Sequence, residues 1–244
     1  MSWRKWDGQT ALLPRMLDPV DAYDRIAGSF ARLAEDRRAY LEAIEKLIVQ
    51  SIPAGSKSLL DVGAGDGRRA MRVAQAAGLK DIVLLEPSAA MRRSWPAGAT
   101  AWPIRAEELH AQEGQFDVVT CLWNVLGHIF PASARVEMIL QCARLLAPGG
   151  RIFIDVSHRY NAVHYGWLLT AARFLRGGSQ DVVVTWKPEG ISTAGHVFTG
   201  REFAGLCRAA GVAIERRFVV DYATGAVRRW PFQGNLLYVL WRGL

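Results

Sequence analysis

The stretch LLDVGAGDGR, residues 59–68, places three glycines within five positions and sets Asp61 and Asp66 among them. Glycine takes positive φ without a steric penalty and lets a ligand lie against the backbone. Gly63, Gly65 and Gly67 therefore read as a loop for a closely approaching ligand. An apolar run before the loop and a helical pattern after it give the strand–loop–helix layout of a nucleotide site. The spacing is GxGxG, whereas dinucleotide loops read GxGxxG, and Asp66 stands inside it. A carboxylate repels a neighbouring pyrophosphate, so the loop suits a ligand with a positive centre and no phosphate. About 20 residues on, Glu86 closes the next apolar run, the place from which an acidic side chain accepts ribose hydroxyls. These residues ask for a nucleoside with a free diol and a cationic portion.

Proton transfer near neutral pH points to histidine. His128, in LGHI, and His158 and His164, further along, are the candidate bases. For His128 a purely hydrogen-bonding role within its loop competes with that of base. The three cysteines, Cys121, Cys142 and Cys207, form no CxxC pair and read as small buried residues, with no metal site expected and a cytoplasmic setting.

Positioning these groups falls to a regular alternation of elements. DPVDAYDRIAGSFARLAE starts as a helix should, with Asp-Pro, and DRRAYLEAIEKLIVQSI puts Leu41, Ile44, Leu47 and Ile48 on one face. After Pro53 and Gly55, strand-like runs alternate with helical ones: KSLLDVG, DIVLLEPS, ATAWPIRAEEL, FDVVTCLW and RIFIDVS supply five strands. Strands this apolar, separated by helices, predict an α/β fold with a parallel sheet covered on both faces. The alternation breaks over residues 157–198, resumes at TGREFAGLCRAAG, where Thr199 and Glu202 spell a capping box, and ends in two strands, VAIERRFVVDY and GNLLYVLWR, with no helix between them. Such a pair is antiparallel. The expectation is a doubly wound, seven-stranded, mostly parallel sheet with an antiparallel last strand. N-terminal helices over residues 1–55 would cap the ligand site of a domain over residues 56–244, with 157–198 inserted as a substrate cap at the carboxyl edge, where open α/β sheets bind ligands.

The chain resembles the class I S-adenosylmethionine-dependent methyltransferases, from about residue 23 to the C-terminus. LLDVGAGDGR resembles that family's glycine motif, LLEPS its ribose-binding strand end, FDVVTCLWNVLGHI its fourth-strand motif and LLAPGGRIFIDV the segment leading into its fifth strand. The order and spacing of four such segments are far more specific than any one of them. The resemblance implies S-adenosylmethionine as cofactor. It implies backbone approach at Gly63, Ala64 and Gly65, and Asp61 reaching the amino-acid end through water. Glu86 would take both ribose hydroxyls, Pro87 and Met91 would flank the adenine, and Ala106 and Glu107 would meet its edge. The Leu122 carbonyl would face the methionine ammonium, with Tyr23 closing over the carboxylate. Arg105 departs from the family, which has an acidic residue there.

The acceptor is less sharply specified. The fourth strand ends in LWNVL, without the Asn/Asp-Pro-Pro-aromatic motif for planar exocyclic amines, and no Pro-Cys dipeptide suggests cytosine-C5 chemistry. Trp123, Asn124, Tyr160, Tyr165 and Trp186 are candidates for lining a substrate pocket, with His128 and His158 as catalytic candidates. We read the chain as a methyltransferase acting on O or N of a small molecule. The net charge of +7 over 244 residues keeps an RNA acceptor as the alternative, beside a non-catalytic cofactor-binding protein. No apolar run approaches the roughly 18 residues of a membrane span, and no membrane partner is expected.

Overall fold

The structure, a computed structural model, describes residues 16–178, 180–186 and 189–243, and the backbone of residues 2–5. The elements are β1 (Ser2–Lys5), α1 (Pro19–Glu35), α2 (Arg38–Val49), β2 (Ser58–Val62), α3 (Arg68–Ala77), β3 (Asp81–Leu85), α4 (Ala89–Arg92), β4 (Thr100–Trp102), β5 (Phe116–Cys121), α5 (Ala132–Arg144) and β6 (Leu146–Val156). There follow α6 (Ala162–Tyr165), α7 (Trp167–Arg176), β7 (Asp181–Trp186), β8 (Ile191–His196), α8 (Gly200–Ala209), β9 (Val212–Val220), β10 (Val227–Arg228) and β11 (Asn235–Arg242). Single 3-10 turns lie at Ala106–Ala111, Val125–His128 and Pro231–Gln233.

The main sheet runs in the order β10-β9-β11-β6-β5-β2-β3-β4, with β6 through β4 parallel and β11 antiparallel to both its neighbours. It has eight strands, where the sequence predicts seven. The eighth, β10, arises because Asp221 turns the chain back: its Oδ1 accepts the N–H groups of Ala223 and Thr224, and Val227 and Arg228 then pair with β9. One face of the sheet packs against α5, α8 and the turn Ala106–Ala111, around Leu60, Val119, Ile139, Ile152 and Phe203. The other packs against α2 and α3, around Ile44, Leu59, Val73, Leu84 and Phe153. The apolar strands thus bury both faces, as a parallel sheet requires.

The insertion does not form a single cap. Its later part, β7 and β8, is a hairpin that joins β1 in a separate three-stranded sheet. That sheet packs against α1 through Ala22, Ile26, Val184, Trp186 and Ile191. The segment leading into α1 is fastened to it, with Leu17 N donating to Ser192 O (3.0 Å) and Thr193 Oγ1 to Leu17 O (2.8 Å). The earlier part, α6 and α7, packs elsewhere, against the turn Pro231–Gln233, where Trp167 meets Phe232 at 5.2 Å between ring centres. The hairpin turns one apolar face, carrying Val182, Val184, Trp186 and Ile191, onto α1, whereas α7 packs on the turn Pro231–Gln233.

Candidate active site

The loops after β2, β3, β4 and β5 converge on a cavity of about 550 Å³, roofed by α1. It lies where strand order reverses between β2 and β5, the switch point at which open α/β sheets bind ligands. The glycine loop is held from behind. Gly63 N and Ala64 N both donate to Leu85 O at 2.9 Å, and Trp95 Nε1 donates to Gly65 O at 2.8 Å. Two of its glycines are obligatory on geometric grounds. Gly63 (φ 73°) would place a Cβ 2.6 Å from Val125 Cγ2, and Gly67 (φ 72°) would place one 2.9 Å from Leu84 Cδ1. Asp66 lies on the cavity wall, where its Oδ1 accepts from Arg68 N at 3.2 Å.

Glu86 sits at the heart of the cavity. Its carboxylate accepts from Gly65 N (2.9 Å) and Ser88 N (2.8 Å), yet burial pushes its pKa up to about 7 against the pull of those two N–H groups. Each oxygen retains a lone pair, and further donors would favour the charged form. Asp61 lies behind the loop rather than on the cavity wall. Its Oδ1 accepts from Thr120 Oγ1 (2.6 Å), and its Oδ2 is buried without a hydrogen bond. Burial raises its pKa, and the charge of Arg69 draws it back down.

Arg69, which sequence reasoning passed over, lines the cavity, and its buried Nε has no hydrogen-bond partner among the described residues. Its charge is felt by Tyr23, Asp61 and Asp155. A sequence signal existed: Arg68 and Arg69 open α3, where the helix dipole disfavours cations, so a basic pair there points to an anion in the loop.

After β5 the chain makes a strained turn in which Trp123 and Asn124 both take φ of 61°. Left-handed backbone at two successive non-glycine residues costs free energy and is retained where the surroundings enforce it. Here Asn124 is pinned three ways. Its N–H reaches Asp155 Oδ1 (3.2 Å), its amide Nδ2 reaches His196 O (3.2 Å) and its Oδ1 accepts Ser157 N (2.9 Å). Asp155 is held in turn by the Tyr40 hydroxyl at 2.7 Å. The turn delivers Trp123 and His128 to the cavity wall, and beyond them lies a smaller space of about 40 Å³ bounded also by Tyr23, Phe30 and Trp186.

His128 and Tyr23 meet there, with Tyr23 Oη 3.3 Å from His128 Nε2. His128 Nδ1 lies 2.9 Å from the carbonyl oxygen of Ala194, which can only accept, so Nδ1 carries the proton and Nε2 presents its lone pair to Tyr23. Burial lowers the His128 pKa, and burial raises that of Tyr23, so both are neutral at pH 7.

Of the residues singled out from the sequence, Tyr23, Gly63, Ala64, Gly65, Glu86, Pro87, Ala106, Glu107, Leu122, Trp123 and His128 line the main cavity, and Asn124 and Trp186 the smaller one. Met91 is buried against α1 and the hairpin. His158, Tyr160 and Tyr165 are not brought to either space. His158 Nδ1 is spent on Pro231 O at 2.8 Å, and burial lowers its pKa to about 4. Tyr160 lines a separate groove under α7, and Tyr165 lies beneath the Arg173 guanidinium, 4.4 Å from its ring centre. The reason is the division of the insertion: these three belong to its earlier half. Phe30 and Val125, both on the cavity wall, carried no sequence signal: Phe30 arrives with α1 crossing the loop, and Val125 with the left-handed turn after β5. Arg105, the departure from the family pattern, is tied to Asp18 at 2.9 Å on the cavity rim.

The profile of the family described as methyltransferase domain matches residues 30–216. With the glycine loop, Glu86 and the sheet order in place, the chain belongs to this family, the class I S-adenosylmethionine-dependent methyltransferases. Among particular relatives, it is similar to the ubiquinone biosynthesis O-methyltransferase of Ralstonia nicotianae, 34% identical over 171 residues, which span 68% of this chain and 66% of that protein. It is also similar to the enzyme of the same name from Thiobacillus denitrificans, 31% identical over 176 residues, 70% of each chain. The matches thus cover about two thirds of those relatives. In structure the chain resembles the CcbJ methyltransferase from Streptomyces caelestis, with a TM-score of 0.70, 16% identity and coverage of 91% of this chain and 98% of that one. It likewise resembles the sugar N-methyltransferase KedS8 from Streptoalloteichus, with a TM-score of 0.58, 19% identity and coverage of 98% and 100%.

Proposed function

We propose that this protein transfers the methyl group of S-adenosylmethionine to a hydroxyl oxygen of a small, largely apolar molecule, with His128 as the general base. The observation that carries the reading is the tautomer of His128. The Ala194 carbonyl fixes the proton on Nδ1 and leaves Nε2 facing Tyr23 at the cavity wall. An amine acceptor needs only to arrive neutral, whereas a hydroxyl gains from a positioned base. The naming of the sequence relatives as O-methyltransferases favours the same choice.

The donor pocket fits the cofactor. Bound S-adenosylmethionine supplies an electrophilic methyl group on a sulfonium centre. Glu86 would accept the ribose hydroxyls, and Pro87, Ala106 and Glu107 would flank the base. From behind the loop Asp61, with its unpaired Oδ2, would reach the ammonium through water, the Leu122 carbonyl would face it, and Arg69, with its unpaired Nε, would take the carboxylate. The aromatic rings of Tyr23, Phe30 and Trp123 bound the space left for the acceptor and exclude water. As the acceptor oxygen takes the methyl group, its proton passes to His128 Nε2 through the Tyr23 hydroxyl. The resulting imidazolium, disfavoured by burial, releases the proton again. Holding the two reactants in line contributes on the order of 7–11 kcal/mol in the best intramolecular cases. Three cysteines that are buried and free fit a reaction carried out in the cytoplasm.

The test is an acceptor panel of aromatic alcohols and the matching amines, run with the wild type and His128→Ala. Methylation of the alcohols, with kcat reduced about 100-fold in the variant and S-adenosylhomocysteine affinity retained, supports the reading. Amines methylated equally well by both proteins would refute it.

A further inference from the structure

The half of the insertion that leaves the cofactor cavity builds a surface of its own. On α7, Leu168 is 90% exposed, Leu175 82% and Phe174 74%. Leu168 and Leu175 are seven residues apart and share a face. Trp167, 61% exposed, packs on Phe232, and Phe232 stacks on Trp230, itself 52% exposed, so the apolar surface continues onto the turn Pro231–Gln233. Between α7 and that turn runs an almost wholly apolar groove of about 570 Å³, with no lining residue in common with the cofactor cavity. Large exposed apolar patches on a soluble fold mark sites of interaction.

The charge around the patch identifies what it meets. Residues 157–178 and 223–234 contain five arginines and not one aspartate or glutamate. Arg176 and Arg229 are exposed, and the Arg229 guanidinium lies 5.2 Å from the ring centre of Trp230. Arg228 is paired with Asp221 from outside these segments. A second copy of the chain fits poorly, because a two-fold contact brings the same patch against itself and sets arginine against arginine. RNA would welcome the arginines but has no use for leucines at the centre, which neither stack on bases nor bond to phosphate. Leucine and phenylalanine projecting from a short helix, tryptophan at the margin and arginine beside them are the composition of an interfacial element.

We propose that the face formed by α7 and the turn Pro231–Gln233 docks on an anionic phospholipid bilayer. No helix among the described residues is long and apolar enough to cross a membrane, and docking of this kind needs none: the apolar side chains enter the headgroup boundary while the arginines meet lipid phosphates. The expectation of no membrane partner, drawn from the lack of a spanning run, does not cover this mode.

The experiment is co-sedimentation of the full chain with vesicles of mixed phosphatidylglycerol and phosphatidylcholine, and with phosphatidylcholine alone. The wild type binds the anionic vesicles, and binding weakens with added salt. Replacing Leu168 and Leu175 together by Glu lowers the partition coefficient by about 100-fold or more. The double change Arg176→Ala and Arg229→Ala lowers it about 25-fold on anionic vesicles only. Both variants bind S-adenosylhomocysteine as the wild type does, and if the leucine pair fails that check the arginine pair decides. The proposal is overturned if the wild type does not sediment with anionic vesicles, or if neither double variant weakens sedimentation. It is equally overturned if the leucine variant instead splits a dimer seen by analytical ultracentrifugation, or if the wild type retards RNA on a gel and ignores vesicles.

Discussion

Glu86 is the residue whose chemistry most directly reports on the site. Its pKa of about 7, against an ordinary 4.5, means the folded chain still holds a proton that the unfolded chain has released between those values. The ligand-free protein therefore loses stability as pH rises through that window, by up to about 3 kcal/mol, with the full cost present above pH 7. Urea denaturation of the wild type and Glu86→Gln across about pH 5 to pH 8 should show this slope only in the wild type. If Glu86 holds the ribose as proposed, the hydroxyls donate to its charged form and binding expels the proton. Affinity for S-adenosylhomocysteine, measured by calorimetry, should rise with pH up to about 7 and then level, and Glu86→Gln should abolish the dependence. Arg69 gives a second residue-scale prediction. Arg69→Met keeps the stem but removes a charge-assisted donor, and should weaken cofactor affinity by roughly 1.5–3 kcal/mol, about 10- to 150-fold, in the same calorimetry. An unchanged affinity would remove Arg69 from the carboxylate site.

Elements decide whether such residues face one another. The loop between β2 and α3 holds its shape because Gly67 lies at φ 72° with Leu84 packed behind it. Gly67→Ala combines a strained backbone with a contact that the Leu84 side chain must yield to, and should cost about 1–3 kcal/mol in thermal or urea unfolding while also weakening cofactor binding. The turn after β5 works the other way, with strain held in place by side chains. Of the three hydrogen bonds by which Asn124 ties β5, β6 and β8 together, Asn124→Ala keeps the backbone one to Asp155 and removes the two made by the side chain. The loss of those two, with a buried carbonyl and N–H left unpaired, should destabilise the fold by about 2–4 kcal/mol. It should also lower kcat, because the Val125–His128 turn no longer has a fixed approach to Tyr23.

At the scale of the whole molecule, the separate three-stranded sheet and α1 form a lid built on a small core of its own. Trp186 is its largest buried side chain, in contact with Tyr23 at 5.5 Å between ring centres. Trp186→Ala should cost about 3–5 kcal/mol by urea denaturation. Because Tyr23 leans on that ring, the same variant should lose turnover beyond the stability effect, read as a lower kcat for the folded fraction. The opposite end of the insertion, carrying α7, contributes no residue to the core of this lid, so its surface substitutions should leave both measurements unchanged.

The sequence by itself determined the parallel sheet, the cofactor loop and the acidic residue at the end of β3. All of these are local: apolar runs choose strands, glycine spacing chooses the loop, and the distance from loop to Glu86 is one helix and one strand. The capping box at Thr199 and Glu202 was readable for the same reason. Tertiary structure alone decided the fate of residues 157–198. Their composition announced a break in the alternation but not that β7 and β8 would pair with each other and with the N-terminal strand, 176 or more residues away. That pairing drew Trp186 toward Tyr23 and left His158, Tyr160 and Tyr165 on the far side. It also decided the state of His128, whose proton is placed by a backbone carbonyl of β8, 66 residues along the chain. A histidine's sequence neighbours do not choose its tautomer; the acceptor that folding brings to Nδ1 does.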